Sequence, residues 1–182
     1  MDPFRGANFF LSTTPYLDMS EDLTFLKSMG EVSVFVPLSR LPRMVLATRL
    51  ALGTITGDEA ANVPADKRFY AGGGGTIRGY KYQSVGELVE GEPVGGKSMA
   101  TVSAEWRVQV TPKIGLAFFM DGGTTYPDSQ PDFDMPFLWG AGGGVRYYLG
   151  FAPFRMDVAF PLQAREGVDE DFQLYISLGQ AF

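Results

Sequence analysis

The 182-residue sequence contains no cysteine and no histidine. Without cysteine there is neither a disulfide framework nor a thiol nucleophile. Without histidine the commonest general base is missing, and with it the Ser–His pair and most zinc sites. No metal, no cofactor and no enzymatic activity are expected on these grounds. No apolar run approaches the roughly 20 residues that a membrane-spanning helix needs. The formal charge is -6, and no basic cluster interrupts it, so a nucleic-acid surface is not expected. The opening MDPFRGANFF lacks the charged-then-apolar head of a signal peptide. If the protein is exported, a targeting segment has been removed or Met1 was added to a fragment.

What the chain does have is 23 glycines and 14% aromatic residues, together with short alternating runs, a combination found in β-barrels and propellers. Eight segments alternate with period two: 6–16, 25–37, 43–54, 98–111, 113–123, 137–149, 153–162 and 172–182. In 98–111, Ala100, Val102, Ala104, Trp106 and Val108 lie on one face, and Thr101, Ser103, Glu105, Arg107 and Gln109 on the other. In 113–123, Ile114, Leu116, Phe118 and Met120 oppose Gly115, Ala117, Phe119 and Asp121. Short connections (37–42, 112, 150–152) take turns with longer ones (17–24, 56–97, 124–136, 163–171), as in outer-membrane barrels. A soluble sandwich or propeller would bury the apolar faces. Here the opposite faces carry arginine, aspartate and glutamate, which cannot form a dry core without partners. The reading is therefore all-β: an antiparallel transmembrane barrel spanning 1–182, with apolar side chains toward lipid or detergent and small or charged ones toward a polar lumen.

The longest connection, 56–97, contains Arg68–Gly86, RFYAGGGGTIRGYKYQSVG. Four consecutive glycines forbid a helix interior and permit close approach of other groups. Within the same connection, Gly91–Ser98, GEPVGGKS, matches the phosphate-binding P-loop string. That loop requires a buried strand before it and a helix after it, and an alternating strand follows instead, so nucleotide binding is not expected. Nothing fixes any two of the scattered acids as a glycosidase pair.

Arg78 remains the candidate centre. Alternation places Glu105 and Asp121 on the inner face of consecutive strands, where a guanidinium with five donors could bridge them. The residues leave a second arrangement equally open. Arg107, Arg146 or Arg155 would neutralise the acids locally while Arg78 stays in solvent.

RFYAGGGGTIRGY resembles the sixth-loop motif of the outer-membrane assembly superfamily that includes BamA and TamA, with Arg78-Gly79-Tyr80 as its Arg-Gly-aromatic triplet. The flanking sequence is closest to the TamA branch. Phe119-Met120-Asp121-Gly122-Gly123 resembles the family's Phe-x-Asp-x-Gly strand, and YISLGQAF, with Tyr175 and the final Phe182, resembles its closing strand. The resemblance implies a sixteen-stranded barrel in the bacterial outer membrane, preceded by periplasmic POTRA domains. It implies an arginine held inside by acids of neighbouring strands, here Arg78 with Glu105 and Asp121. It also implies client β-barrel proteins or autotransporters, handled by strand addition at a seam between first and last strands. With about eight strands, the chain reads as the C-terminal half of such a barrel, with scaffold behaviour only. It would close on itself or join a second copy as a homodimer. The loop carrying Arg78 would scarcely fit inside a closed eight-stranded barrel, which favours the dimer or an expelled loop. A passive outer-membrane pore is the alternative.

Overall fold

In the computed structural model, the structure describes residues 3–18, 23–57, 62–149 and 152–179. Eight long strands form one antiparallel sheet: β1 (Gly6–Asp18), β2 (Leu23–Arg40), β3 (Arg43–Gly57), β6 (Ser98–Gln109), β7 (Ile114–Tyr126), β8 (Leu138–Tyr148), β9 (Pro153–Pro161) and β10 (Gln173–Leu178). Each pairs with its neighbours in chain order. A small hairpin, β4 (Leu88–Val89) with β5 (Glu92–Pro93), lies in the long connection between β3 and β6. Among the described residues β1 and β10 do not pair, so the sheet is open.

The strands form because the alternation is local and strict, and burial follows it residue by residue. Along β7, Ile114, Leu116, Phe118 and Met120 are exposed while Gly115, Ala117, Phe119 and Asp121 are buried. Along β9, Phe154, Met156 and Phe160 are exposed while Arg155, Asp157 and Ala159 are buried. The exposed face is thus the greasy one, the arrangement a lipid solvent selects.

The strands run longer than the alternation indicated near two turns. β1 continues through Asp18 and β2 begins at Leu23, and β2 runs past Pro37 to Arg40 with a register shift between Pro37 and Ser39. Strand-to-strand hydrogen bonding continues there although the side-chain alternation has faded.

The inner face is not uniformly polar. Residues 62–97 fold back against it and bring their own apolar side chains. Val63, Phe69, Ile77, Tyr80 and Val85 pack with inward Phe25, Ile55 and Met99 into one buried cluster. Fully burying side chains of this size stabilises by about 1.5–3 kcal/mol each. The long connection is therefore a folded plug rather than a solvated loop. It is accommodated because the sheet is open, not closed into a narrow eight-stranded ring.

Cysteine substitutions carrying spin labels check which face meets lipid. Labels at Trp106 and Phe154 are expected to collide with lipid-dissolved oxygen, and labels at Ser103 and Ala117 are expected to be shielded from it. The reverse pattern would turn the sheet inside out.

Candidate functional site

The tip of the plug crosses the inner face at β6–β9. Arg78 is 3% exposed, Glu105 0%, Asp121 1% and Asp157 1%. Arg78 meets Asp121 side-on: Nε donates to Oδ2 at 2.6 Å and Nη2 to Oδ1 at 2.9 Å. The Arg78 backbone N–H adds a third bond to the same carboxylate at 3.2 Å. Nη1 donates to Glu105 Oε2 at 2.7 Å. The flat face of the guanidinium lies over the Phe119 ring, 3.4 Å from its centroid. The planar fork of arginine, unlike a lysine ammonium, serves two carboxylates and a ring face together.

The competing arrangement is present as well, not instead. Arg107 Nε donates to Glu105 Oε1 at 2.7 Å, and Arg146 Nη2 lies 3.4 Å from Glu105 Oε2. Arg146 also pairs with Asp157, to which Arg155 donates at 3.0 Å. Four guanidinium groups therefore surround three carboxylates, with one positive charge in excess. Buried charges cost several kcal/mol each unless paired, and each carboxylate here has at least one arginine.

The backbone around Arg78 is held just as closely. Gly79 has φ of 103°, and a Cβ there would stand 2.8 Å from the Phe160 carbonyl oxygen, so only glycine fits. Its N–H donates to Tyr175 Oη at 3.0 Å, and Tyr175 Oη donates to the Tyr80 carbonyl at 3.1 Å. One phenol on the edge strand β10 thus satisfies both backbone groups flanking the tip. Tyr80 Oη donates to the Trp139 carbonyl at 3.0 Å. The facing stretch of β8, Gly140-Ala141-Gly142-Gly143-Gly144, supplies the clearance. A Cβ on Gly140 would strike the Arg78 carbonyl, and one on Gly144 would strike the Asp157 carboxylate.

Of the residues singled out from sequence, the structure brings together Arg78, Gly79, Tyr80, Glu105, Asp121 and Tyr175, whereas Phe182 lies outside the described residues. Phe119 and Asp157 stand in stretches that resemble family motifs, but sequence reasoning gave neither of them, nor the inward glycines of β8, a role at this site. A signal for them existed. Gly140, Gly142 and Gly144 recur with period two, and Gly144 pairs directly across from Asp157.

A clasp outside the strands completes the surroundings. Arg165 binds Asp169 through Nε at 2.8 Å, Nη2 at 2.8 Å and its backbone N–H at 2.9 Å, and its guanidinium lies 5.7 Å from the Tyr80 ring centroid. Burial pushes the Asp169 carboxyl up, but the hydrogen bonds and charge of Arg165 outweigh it and hold the group below its ordinary value of 3.8.

Three outcomes follow from this geometry. Arg78→Ala strands the Asp121 carboxylate and is expected to cost about 3–5 kcal/mol. Arg107→Ala costs less, because Glu105 keeps Arg78 and Arg146; denaturant unfolding in detergent and protease resistance of 62–97 compare the two. Tyr175→Phe removes one hydroxyl and leaves the Gly79 N–H and the Tyr80 carbonyl unpaired, a loss of about 1–3 kcal/mol, read as faster amide exchange in β10 than in β6. The Asp169 contribution is fully present above the ordinary carboxyl pKa and is lost as pH falls through the lowered folded value. Proteolysis of 162–172 should therefore rise on acidification, and Asp169→Asn should show that susceptibility already at neutral pH.

Comparison with known proteins places this geometry in a family. The Omp85 superfamily domain matches residues 1–182. The outer membrane protein assembly factor BamA of Nitratidesulfovibrio vulgaris (strain Hildenborough) is 31% identical over 168 residues, covering 88% of this chain. The chain spans 21% of that relative's length. The crystal structure of BamA from Haemophilus ducreyi lacking POTRA domains 1–3 superposes with a TM-score of 0.76 at 20% identity, over 95% of this chain and 38% of that one, a likeness of fold. The match across the full length and the identity to a curated relative agree: this chain belongs to the Omp85 superfamily.

Proposed function

We propose that this chain forms half of the barrel wall of a bacterial outer-membrane assembly factor, which helps insert or export client β-proteins without enzymatic chemistry. Clients would be received by strand addition at an open seam. The observation that carries this reading is the unequal anchoring of the sheet. The centre, β6 to β9, is locked to the plug tip by the buried arginine–carboxylate network. The six-residue edge strand β10 is paired on one side only among the described residues and is tied to the tip by Tyr175. Unpaired backbone groups are costly in lipid, and an incoming strand satisfies them by β-augmentation.

The other edge, β1, asks for completion as well. Its inward Phe10 is 51% exposed. The first and eighth strands of an alternating sheet run oppositely, so β10 of one copy would meet β1 of another antiparallel. Two copies would make a sixteen-stranded ring, as would further strands of a longer chain.

Disulfide trapping tests the assembly reading. A Ser177→Cys variant is expected to cross-link to a cysteine-bearing terminal strand of a client barrel, and a Gly30→Cys variant in mid-sheet is not. Equal trapping at both positions would remove the seam. Steady single-channel current across a planar bilayer would favour the passive pore, against which the folded plug argues. The mass of the solubilised particle, corrected for detergent, separates one copy from two.

A further inference from the structure

The outer face carries a feature that strand addition does not use. One cross-strand row on that face consists of hydroxyls, Thr13, Ser28, Thr54 and Ser98, each directly paired with the next. The row immediately below is apolar and dented: Leu11, Gly30, Leu52 and Ala100. The hydroxyl row thus interrupts the apolar surface toward the end of the sheet that bears the long connections; past it, Leu26 and Leu17 are exposed again on the same face.

The connection between β7 and β8 does not project away from this boundary. It turns down over the outer wall and is pinned to the hydroxyl row, where Thr54 Oγ1 donates to the Ser129 carbonyl at 2.6 Å and Ser98 Oγ donates to the Asp128 carbonyl at 2.7 Å. Pro131 and Phe133 then overhang the dented row and enclose a groove of about 370 Å³ with Leu11, Gly30, Leu52 and Thr54. Ala100, at the same end of the row, is 2% exposed. The next row below on the same face is Phe9, Val32 and Leu50, of which Phe9 and Leu50 are exposed.

We infer that this groove holds one acyl chain of a membrane lipid. The chain lies between the Pro131–Phe133 overhang and the Gly30 dent, with its ester or amide linkage level with Thr13 and Ser28. Two observations choose this occupant. The groove is an extension of the surface that already faces hydrocarbon. Its polarity changes over one residue row, from a purely apolar floor to a rank of hydroxyls, which matches a molecule with a hydrocarbon tail and a polar linkage. A client strand would need free backbone donors and acceptors, and the groove floor at Gly30 and Leu52 stands on β2 and β3, whose backbone is already paired on both sides; only Leu11 stands on the edge strand β1. The absent side chain at Gly30 is what makes the room: a Cβ there would lie 3.9 Å from Leu11 Cδ1, in ordinary contact, so a larger residue is tolerated while filling the groove.

The full chain, folded into phosphatidylcholine vesicles, extracted in mild detergent and weighed by native mass spectrometry, tests this. The wild type is expected to retain one phospholipid per chain. Gly30→Trp, which fills the groove, and Phe133→Ala, which removes its roof, are each expected to lower the retained fraction at least tenfold, with heat-modifiable mobility unchanged. Lipid retention equal to wild type in both variants, or a wild type that carries detergent or peptide but no lipid, would overturn the assignment. Brominated-chain phosphatidylcholine gives an independent reading. A Phe133→Trp reporter, in a chain with Trp106 and Trp139 changed to Phe, should be quenched more strongly than Trp106 alone. Equal quenching would mean ordinary annular lipid and no site.

Discussion

A guanidinium with 3% of its surface exposed cannot lose its charge and cannot stay buried without acceptors on every side. That constraint organises this structure. Arg78 arrives on a connection of some forty residues, yet its acceptors, Asp121 and Glu105, stand on β7 and β6, and Asp157 approaches to 3.8 Å from β9. Satisfying one side chain fixes the path of the whole plug relative to the wall. The apolar cluster above the tip, with Phe69, Ile77 and Tyr80 against Phe25 and Ile55, adds stabilisation, but apolar contact is non-directional. The side-on geometry of the ion pair supplies the register.

The excess of arginine over carboxylate sharpens this. Glu105 is shared by Arg78, Arg107 and Arg146, whereas Asp121 is used by Arg78 from its backbone and from two guanidinium nitrogens. Removal of the plug would leave Asp121 inward-facing without that partner, while Glu105 would retain two cations. Asp121 is therefore the acid tied to the plug, and Glu105 also belongs to the wall.

The sheet was legible in the sequence because a period of two is a local property. Trp106 against Glu105, or Phe118 against Asp121, can be sorted to opposite faces from adjacent letters alone, and the structure sorts them so. Strand ends were less legible, as at Leu23 and Arg40, because pairing persists there without alternation. The plug was not legible as a packed body. Val63, Phe69, Ile77 and Val85 follow no period, so nothing marks them as one cluster until the chain doubles back. For the candidate site, alternation could place Glu105, Asp121 and Asp157 on one face but could not say which arginine reaches which acid. That depends on a contact between positions 43 residues apart, across the plug. Tyr175 illustrates the same limit: its face was readable, but the two backbone groups it serves at Gly79 and Tyr80 were not.

The glycines of β8 have a consequence for motion. Gly140, Gly142 and Gly144 receive the Arg78 carbonyl, the Phe119 ring and the Asp157 carboxylate in turn, and side chains on one face recur every second residue, a spacing of about 7 Å along a strand. Only the first of these notches holds a plug atom; the other two are already filled from the wall itself, by β7 and β9. A tip shifted along β8 would meet an occupied notch, so the opening at Gly140 leaves the plug one seat on this strand and no neighbouring one to slide into.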